Sequence, residues 1–308
     1  MNTIAVRTIL PILLLIGTGY LSRRINVLKA GDERVLNAFV YYFALPALFF
    51  INMSELRFTQ ATYIFAVAAF VPVFVVVAIY ILLYWIIGFS RDRLYLLITC
   101  TVFGSHAFFG IPFIVFAFPT IQGEQLAILS ASSISIVGVS FSLTVLEFYK
   151  LGSVKIWEGI KQVAKRLSKN PLIISIFFGF LFSLFHLEVP HAFSTFLHML
   201  GKTTATVAIF MLGVFLYGRT YTKIGEAFKL SLLRIIVLPV IGLITTRLFG
   251  LHDIERAVLV LMYSMPLALS MIILSERYDF HVETIASVIM ISSLAAGLYL
   301  NIWLMIVQ

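Results

Sequence analysis

The stretch Thr101-Val102-Phe103-Gly104-Ser105-His106-Ala107-Phe108-Phe109-Gly110-Ile111-Pro112 lies inside an apolar run long enough to cross a bilayer. Two glycines, a serine, a histidine and a proline are costly in such a helix, because proline removes a backbone donor and glycine loses backbone entropy. In lipid every freed polar group must be satisfied by protein, water or a ligand. The stretch therefore predicts a helix that breaks inside the membrane. Far downstream, Tyr263-Ser264-Met265-Pro266-Leu267-Ala268-Leu269-Ser270 has the same character. Paired broken helices in corresponding halves of a chain point to a transporter's binding site.

Composition agrees with a chain that lives in lipid. Of 308 residues, 61% are hydrophobic and 12% charged, against roughly 25% charged in soluble domains. The mean hydropathy is +1.05. At about 20 residues per span there is room for about ten helices. The expected spans are Thr3–Tyr20, Leu36–Met53, Ala61–Gly88, Leu94–Phe118, Leu126–Phe148, Pro171–Phe185, Thr203–Gly218, Ser231–Phe249, Ala257–Ser275 and Glu283–Val307. No small-residue cleavage site follows the first run, so it reads as a retained helix. Cys100 is the single cysteine and excludes an internal disulfide.

Seventeen of the 22 Lys and Arg fall in the loops joining spans 1–2, 3–4, 5–6, 7–8 and 9–10, and five fall on the other side. The positive-inside rule makes the first set cytoplasmic and both termini extracytoplasmic. Net charge +8 is thus membrane topology and does not suggest nucleic acid. The predicted fold is an all-α integral membrane protein of about ten transmembrane helices. Five spans per half is odd, so the halves enter the membrane in opposite senses as inverted repeats, 1–149 and 170–308. Between them, 150–169 carries six basic residues, with Val154, Trp157, Ile160, Val163, Ala164 and Leu167 at helical spacing. That pattern predicts a basic amphipathic linker on the cytoplasmic membrane surface.

Helices four and nine are the broken ones in their repeats. Pro112 and Pro266 are expected to start new half-helices, since proline suits a first helical turn. Two such N-termini facing one cavity would favour an anion. The candidate substrate-binding residues are Ser105, His106, Gly110, Pro112, Ser264, Met265 and Pro266. The alternative for Gly104 and Gly110 is close helix packing. Glu147, Glu276 and Arg277, and Arg234 and Arg247 of span eight, are expected to snorkel to the membrane edge. With no Asp or Glu near a midplane, a carboxylate proton relay or sodium site is not expected. His186, His191 and His198, with Glu188 alone beside them, do not make a metal set. No catalytic motif, metal site or cofactor is expected, so the chain does not read as an enzyme.

Four stretches resemble the auxin efflux carrier family, which includes plant auxin exporters and bacterial organic-acid carriers. They are Leu36–Leu48, Phe109-Gly110-Ile111-Pro112, Lys169-Asn170-Pro171-Leu172-Ile173 and Pro266–Tyr278. The resemblance implies a scaffold domain of helices 1, 2, 6 and 7 and a transport domain of helices 3–5 and 8–10. It also implies elevator-type alternating access to a carboxylate, as in the bile-acid/sodium symporter fold, and adds Asn37 to the substrate-binding candidates. Many family members carry an Asn-Thr pair where this chain has Ser105-His106.

The expected function is secondary transport of small organic anions, auxin-like or dicarboxylate, across the cell membrane by a multi-pass protein. The expected partners are that anion and the lipid bilayer; a homodimer is left open. An anion leaving a negative-inside cell gains about 2.3 kcal/mol per charge per 100 mV and needs no coupling ion. The alternatives are a sodium- or proton-coupled organic-acid importer and a membrane receptor that binds such a ligand without moving it.

Overall fold

The computed structural model describes residues 2–56, 59–151, 161, 164–165, 168–218 and 221–307. The expected amphipathic linker falls for the most part outside these residues. The described chain is α-helical, and its one β-type pairing is an isolated antiparallel bridge between Gly104 and Leu267. In chain order the helices are α1 (Asn2–Arg24), α2 (Asp32–Phe39), α3 (Leu45–Glu55), α4 (Gln60–Ile87), α5 (Arg91–Val102), α6 (Ile111–Ala117), α7 (Ile121–Leu151), α8 (Pro171–Leu184), α9 (His191–Leu216), α10 (Ile224–Leu248), α11 (Asp253–Tyr263), α12 (Ser270–Tyr278) and α13 (Val282–Val307). Six described helical stretches are long and apolar enough to cross a membrane: Asp32–Glu55, Gln60–Ile87, Ile121–Lys150, His191–Leu216, Ile224–Leu248 and Val282–Val307. His106–Ala117 and Pro171–Leu184 are shorter apolar helices.

Proline shapes two of these helices by the same device. A π-helical turn, Val40–Ala44, joins α2 to α3, and Pro46 sits at the second position of α3. A second π turn, His106–Gly110, precedes α6, with Pro112 at the same position. A proline ring clashes with the carbonyl four residues back. A wider turn just before it leaves room for the ring while the helix continues, and the Leu45 N–H reaches five residues back to the Val40 carbonyl. α9 begins twelve residues before the expected start of span seven, Thr203. The polar residues that suggested a loop, His191, Ser194, Thr195, His198 and Lys202, recur at helical spacing.

The helices form two compact units, each drawing on both halves of the sequence. Unit 1 comprises Met1–Tyr63, Ala107–Ser132 and Lys169–Arg219, and unit 2 comprises Ile64–His106, Ser133–Ser168 and Thr220–Gln308. Unit 1 is built on close backbone approach. A Cβ on Gly19 would strike the Phe210 carbonyl, one on Gly213 would strike the Ile16 carbonyl, and one on Gly179 would lie 2.6 Å from the Phe50 carbonyl. Without a hydrophobic drive between helices in lipid, small residues of this kind carry the packing. At one end of unit 1, Glu55 accepts from Ser194 Oγ at 3.2 Å and meets His198 Nε2 at 3.0 Å.

Gly213→Leu should therefore force α1 and α9 apart at a cost of about 1–3 kcal/mol. The expected result is a lowered thermal midpoint in detergent. Gly17→Ala, where nothing lies within 4 Å of an added Cβ, should not lower the midpoint, since alanine costs less backbone entropy than glycine in a helix.

Candidate functional site

The breaks that follow α5 and α11 meet within unit 2. α5 ends at Val102, because Phe103 (φ −89°, ψ 75°) leaves the helical region. α11 ends at Tyr263, and Met265–Ala268 run extended before α12 begins at Ser270. Around the Gly104–Leu267 bridge, the Ser105 N–H donates to the Pro266 carbonyl at 2.8 Å and the Ala268 N–H donates to the Phe103 carbonyl at 2.9 Å. The Leu267 N–H donates to Ser292 Oγ of α13 at 3.2 Å. Each break thus satisfies backbone groups that the other frees, as burial in lipid requires.

Two carbonyls at the crossover turn to a side chain instead. Arg234 of α10 is completely buried, and its Nε donates to the Met265 carbonyl at 2.7 Å. Its Nη1 donates to the Thr101 carbonyl. These carbonyls belong to the C-terminal ends of α11 and α5, where each helix dipole places about half a negative charge. The expectation that Arg234 snorkels to the membrane edge is thereby corrected. Its guanidinium occupies the crossover because two negative helix ends receive it there, whereas Arg247, near the other end of α10, is exposed. Glu147 is also corrected: it is buried and accepts a hydrogen bond from Tyr278 Oη at 2.5 Å. Glu276 and Arg277 are exposed.

The residues selected from the sequence are distributed unevenly. Ser105, His106, Ser264, Met265 and Pro266 lie in unit 2, and Asn37, Gly110 and Pro112 lie in unit 1. Pro112 does not begin a half-helix, since helical structure starts at His106 and Gly110 (φ −68°, ψ −52°) is already helical. Pro266 lies in the extended crossover, four residues before α12, and its part there is a carbonyl that receives the Ser105 N–H. Ser264 gives its hydroxyl proton to the Val260 carbonyl at 2.9 Å, leaving lone pairs. The helix start after the ninth-span break also offers fewer donors than expected. The Met271 and Ile272 N–H groups close tight turns onto the Ala268 and Leu269 carbonyls, at 3.0 and 3.1 Å.

Among the described residues of unit 2, six buried side-chain polar atoms have no hydrogen-bond partner, and Arg234 Nη2, His106 Nε2 and Tyr299 Oη are three of them. In unit 1 the Oδ1 of Asn37, on α2, is in the same condition. A Cβ on Gly104 would strike both Arg234 Nη2 and His106 Nε2, so both atoms lie against the bare face of that glycine. Sequence reasoning missed Arg234 because its charge was read with a cytoplasmic loop. The signal that could have found it is its depth, ten residues into the membrane-length helix Ile224–Leu248.

Residues 4–304 match a family model described as membrane transport protein. An uncharacterized transporter of Methanocaldococcus jannaschii is 26% identical, over 96% of this chain and 96% of its own. An uncharacterized transporter of Escherichia coli K12 is 23% identical, over 99% and 98%. A Rhizobium meliloti protein named as a candidate malonate transporter is 25% identical, over 93% and 90%.

Replacing Ser292 with alanine should leave the Leu267 N–H buried without its acceptor, at a cost of about 1–3 kcal/mol. The expected result is a lower thermal midpoint for the variant in detergent, with the helical circular-dichroism signal retained before the transition.

Proposed function

The chain belongs to the membrane transport protein family, the auxin efflux carrier family that its motifs resemble, and we propose that it is a secondary transporter of small organic anions. The observation that carries this reading is the crossover of unit 2. Two interrupted membrane helices meet there, a buried cation sits at their ends, and buried donors lack partners. A scaffold gains nothing from a buried, under-satisfied polar cluster, which costs free energy unless a ligand completes it. The name of the Rhizobium meliloti relative supports a short dicarboxylate as a substrate to try first.

The reading extends to plan and mechanism. Ten spans in two inverted repeats, with both termini outside the cytoplasm, follow from the basic-residue asymmetry. Elevator-type alternating access assigns the moving body to unit 2, which contains the crossover, and the static role to unit 1. Candidate ligand contacts are Ser105 and His106 from one break and Ser264, Met265 and Pro266 from the other, while Asn37, Gly110 and Pro112 stand as candidates in unit 1. Inside-negative potential drives an uncoupled anion outward, by about 2.3 kcal/mol per charge per 100 mV. The direction proposed is therefore export.

Thermal stability of the purified protein against a panel of carboxylates and neutral amino acids, with and without sodium, tests the reading. A ligand that binds only the folded state raises apparent stability, by about 2.7 kcal/mol at a hundred times its dissociation constant. Short carboxylates are expected to raise the midpoint without sodium, and neutral amino acids are not. In proteoliposomes, an inside-negative potential should then accelerate efflux of the stabilising carboxylate. Stabilisation by neutral amino acids alone would overturn the anion reading, and an absolute need for sodium would replace export by coupled import.

A further inference from the structure

We infer that Arg234 is the anion-selecting residue of this transporter: its Nη2, with His106 Nε2, receives a substrate carboxylate over the bare face of Gly104. The inference rests on the organic-anion reading above and assigns it a residue and a place within unit 2.

Three observations converge. First, Arg234 is the largest fully buried side chain among the described residues, and two of its nitrogens are fixed by the Met265 and Thr101 carbonyls. The guanidinium therefore cannot swing away, and the direction of its remaining edge is set. A planar fork held at two corners is preorganised at the third. Second, the Nη2 at that edge has no partner, and neither does Nε2 of His106, which is 2% exposed. Unpartnered buried donors are rare and costly, and a guanidinium N–H is satisfied best by a carboxylate. An imidazole nitrogen beside it can donate to the second oxygen in the tautomer that carries its proton there. Third, the common neighbour of both atoms is the α-carbon hydrogen face of Gly104, and any side chain there would occupy their space. Gly104 is also the one residue of Thr101–His106 that is half-buried instead of buried, so the crossover opens at this point.

A purely structural Arg234 explains two of these hydrogen bonds but not the rest. Two helix ends of about half a charge each offset the guanidinium's charge, yet they leave Nη2 and His106 Nε2 unbonded. A carboxylate answers both at once. The arrangement discriminates by charge: a neutral amide can offer Arg234 Nη2 a carbonyl oxygen, but without the negative charge that strengthens a bond to a guanidinium.

Malonate and its uncharged diamide are the probes, with binding measured on wild type, Arg234→Gln, Arg234→Lys and Gly104→Ala in detergent by ligand-dependent thermal shift and by titration. Wild type should bind malonate and not the diamide. Arg234→Gln should lose malonate affinity by about ten- to hundredfold, the usual loss for a charge-assisted hydrogen bond, and should favour the diamide relative to malonate. That reversal of preference is a readout a structural role would not move. Arg234→Lys should retain part of the malonate affinity. Gly104→Ala adds one methyl group against the ends of two side chains and should weaken malonate by about tenfold or more. It serves as the deciding variant if Arg234→Gln does not fold. Folded Arg234→Gln or Gly104→Ala with unchanged malonate affinity overturns the inference while leaving the anion reading in place. Equal affinity of wild type for malonate and the diamide overturns it without any variant. A wild type that binds no carboxylate in the panel overturns both.

Discussion

A helix broken inside a bilayer has no water to fall back on, and the crossover of unit 2 is arranged to meet that condition. Each extended segment gives the other the partner its own helix withdrew: Ser105 donates to Pro266, Ala268 donates to Phe103, and Ser292 receives the Leu267 N–H. The carbonyls that remain at the ends of α5 and α11 are met by one guanidinium. An isolated charge buried in a medium of low polarity is prohibitive, but here it faces the negative ends of two helices, and the three charges come close to cancelling. The cation therefore holds the break together, and the break makes the cation tolerable. Either would be unstable alone.

The same need to keep backbone groups paired explains the treatment of proline elsewhere. Pro46 and Pro112 each follow a π-helical turn, which widens the chain before the ring and lets the helix proceed. Pro266 is handled differently because nothing helical surrounds it; it is useful there as a residue with no N–H to satisfy. Three prolines that look alike in the sequence thus have two structural meanings, decided by whether the preceding residues can stay helical. Buried hydroxyls are treated with similar economy. Ser264 and Ser292 bond back to carbonyls of their own helices, and Ser292 still has a lone pair for the crossover.

The two units differ in what their glycines bring together. In unit 1 the small residues Gly19, Gly179 and Gly213 bring backbones into contact, and exposed Glu55 meets the half-buried Ser194 and His198. Unit 2 holds its polar groups inside, with Arg234 joined to both breaks, Tyr263 Oη donating to the Ala69 carbonyl at 2.5 Å and Tyr278 to Glu147. Where Gly104 brings side chains together, the glycines of unit 1 bring helices together. The distinction matters for function, because the side chains gathered at Gly104 keep unpartnered polar atoms, whereas the backbone contacts at Gly19, Gly179 and Gly213 pack helix against helix.

Hydropathy determined which parts of this chain are helical and apolar, since burial in lipid imposes a continuous, local pattern on the sequence. Glycine, serine, histidine and proline inside an apolar run likewise marked both breaks, because their effect on a helix is a property of the residue and its neighbours. Ser105, His106 and Pro266 were therefore legible as members of an unusual place. What each does there was not legible. Arg234 looked like one more basic residue near a membrane edge, and Glu147 like one more acidic one. The bond between Arg234 and Thr101 joins residues 133 positions apart, and no periodicity or spacing carries such a pairing. Nor could the sequence say that the Met271 and Ile272 N–H groups are already used, or that two donors converge on the bare side of Gly104. Local patterns decide where a chain may bend and what it may bury. Which buried group meets which is settled by the three-dimensional closure of the helices, and for this protein that closure is what puts a positive charge at the crossover.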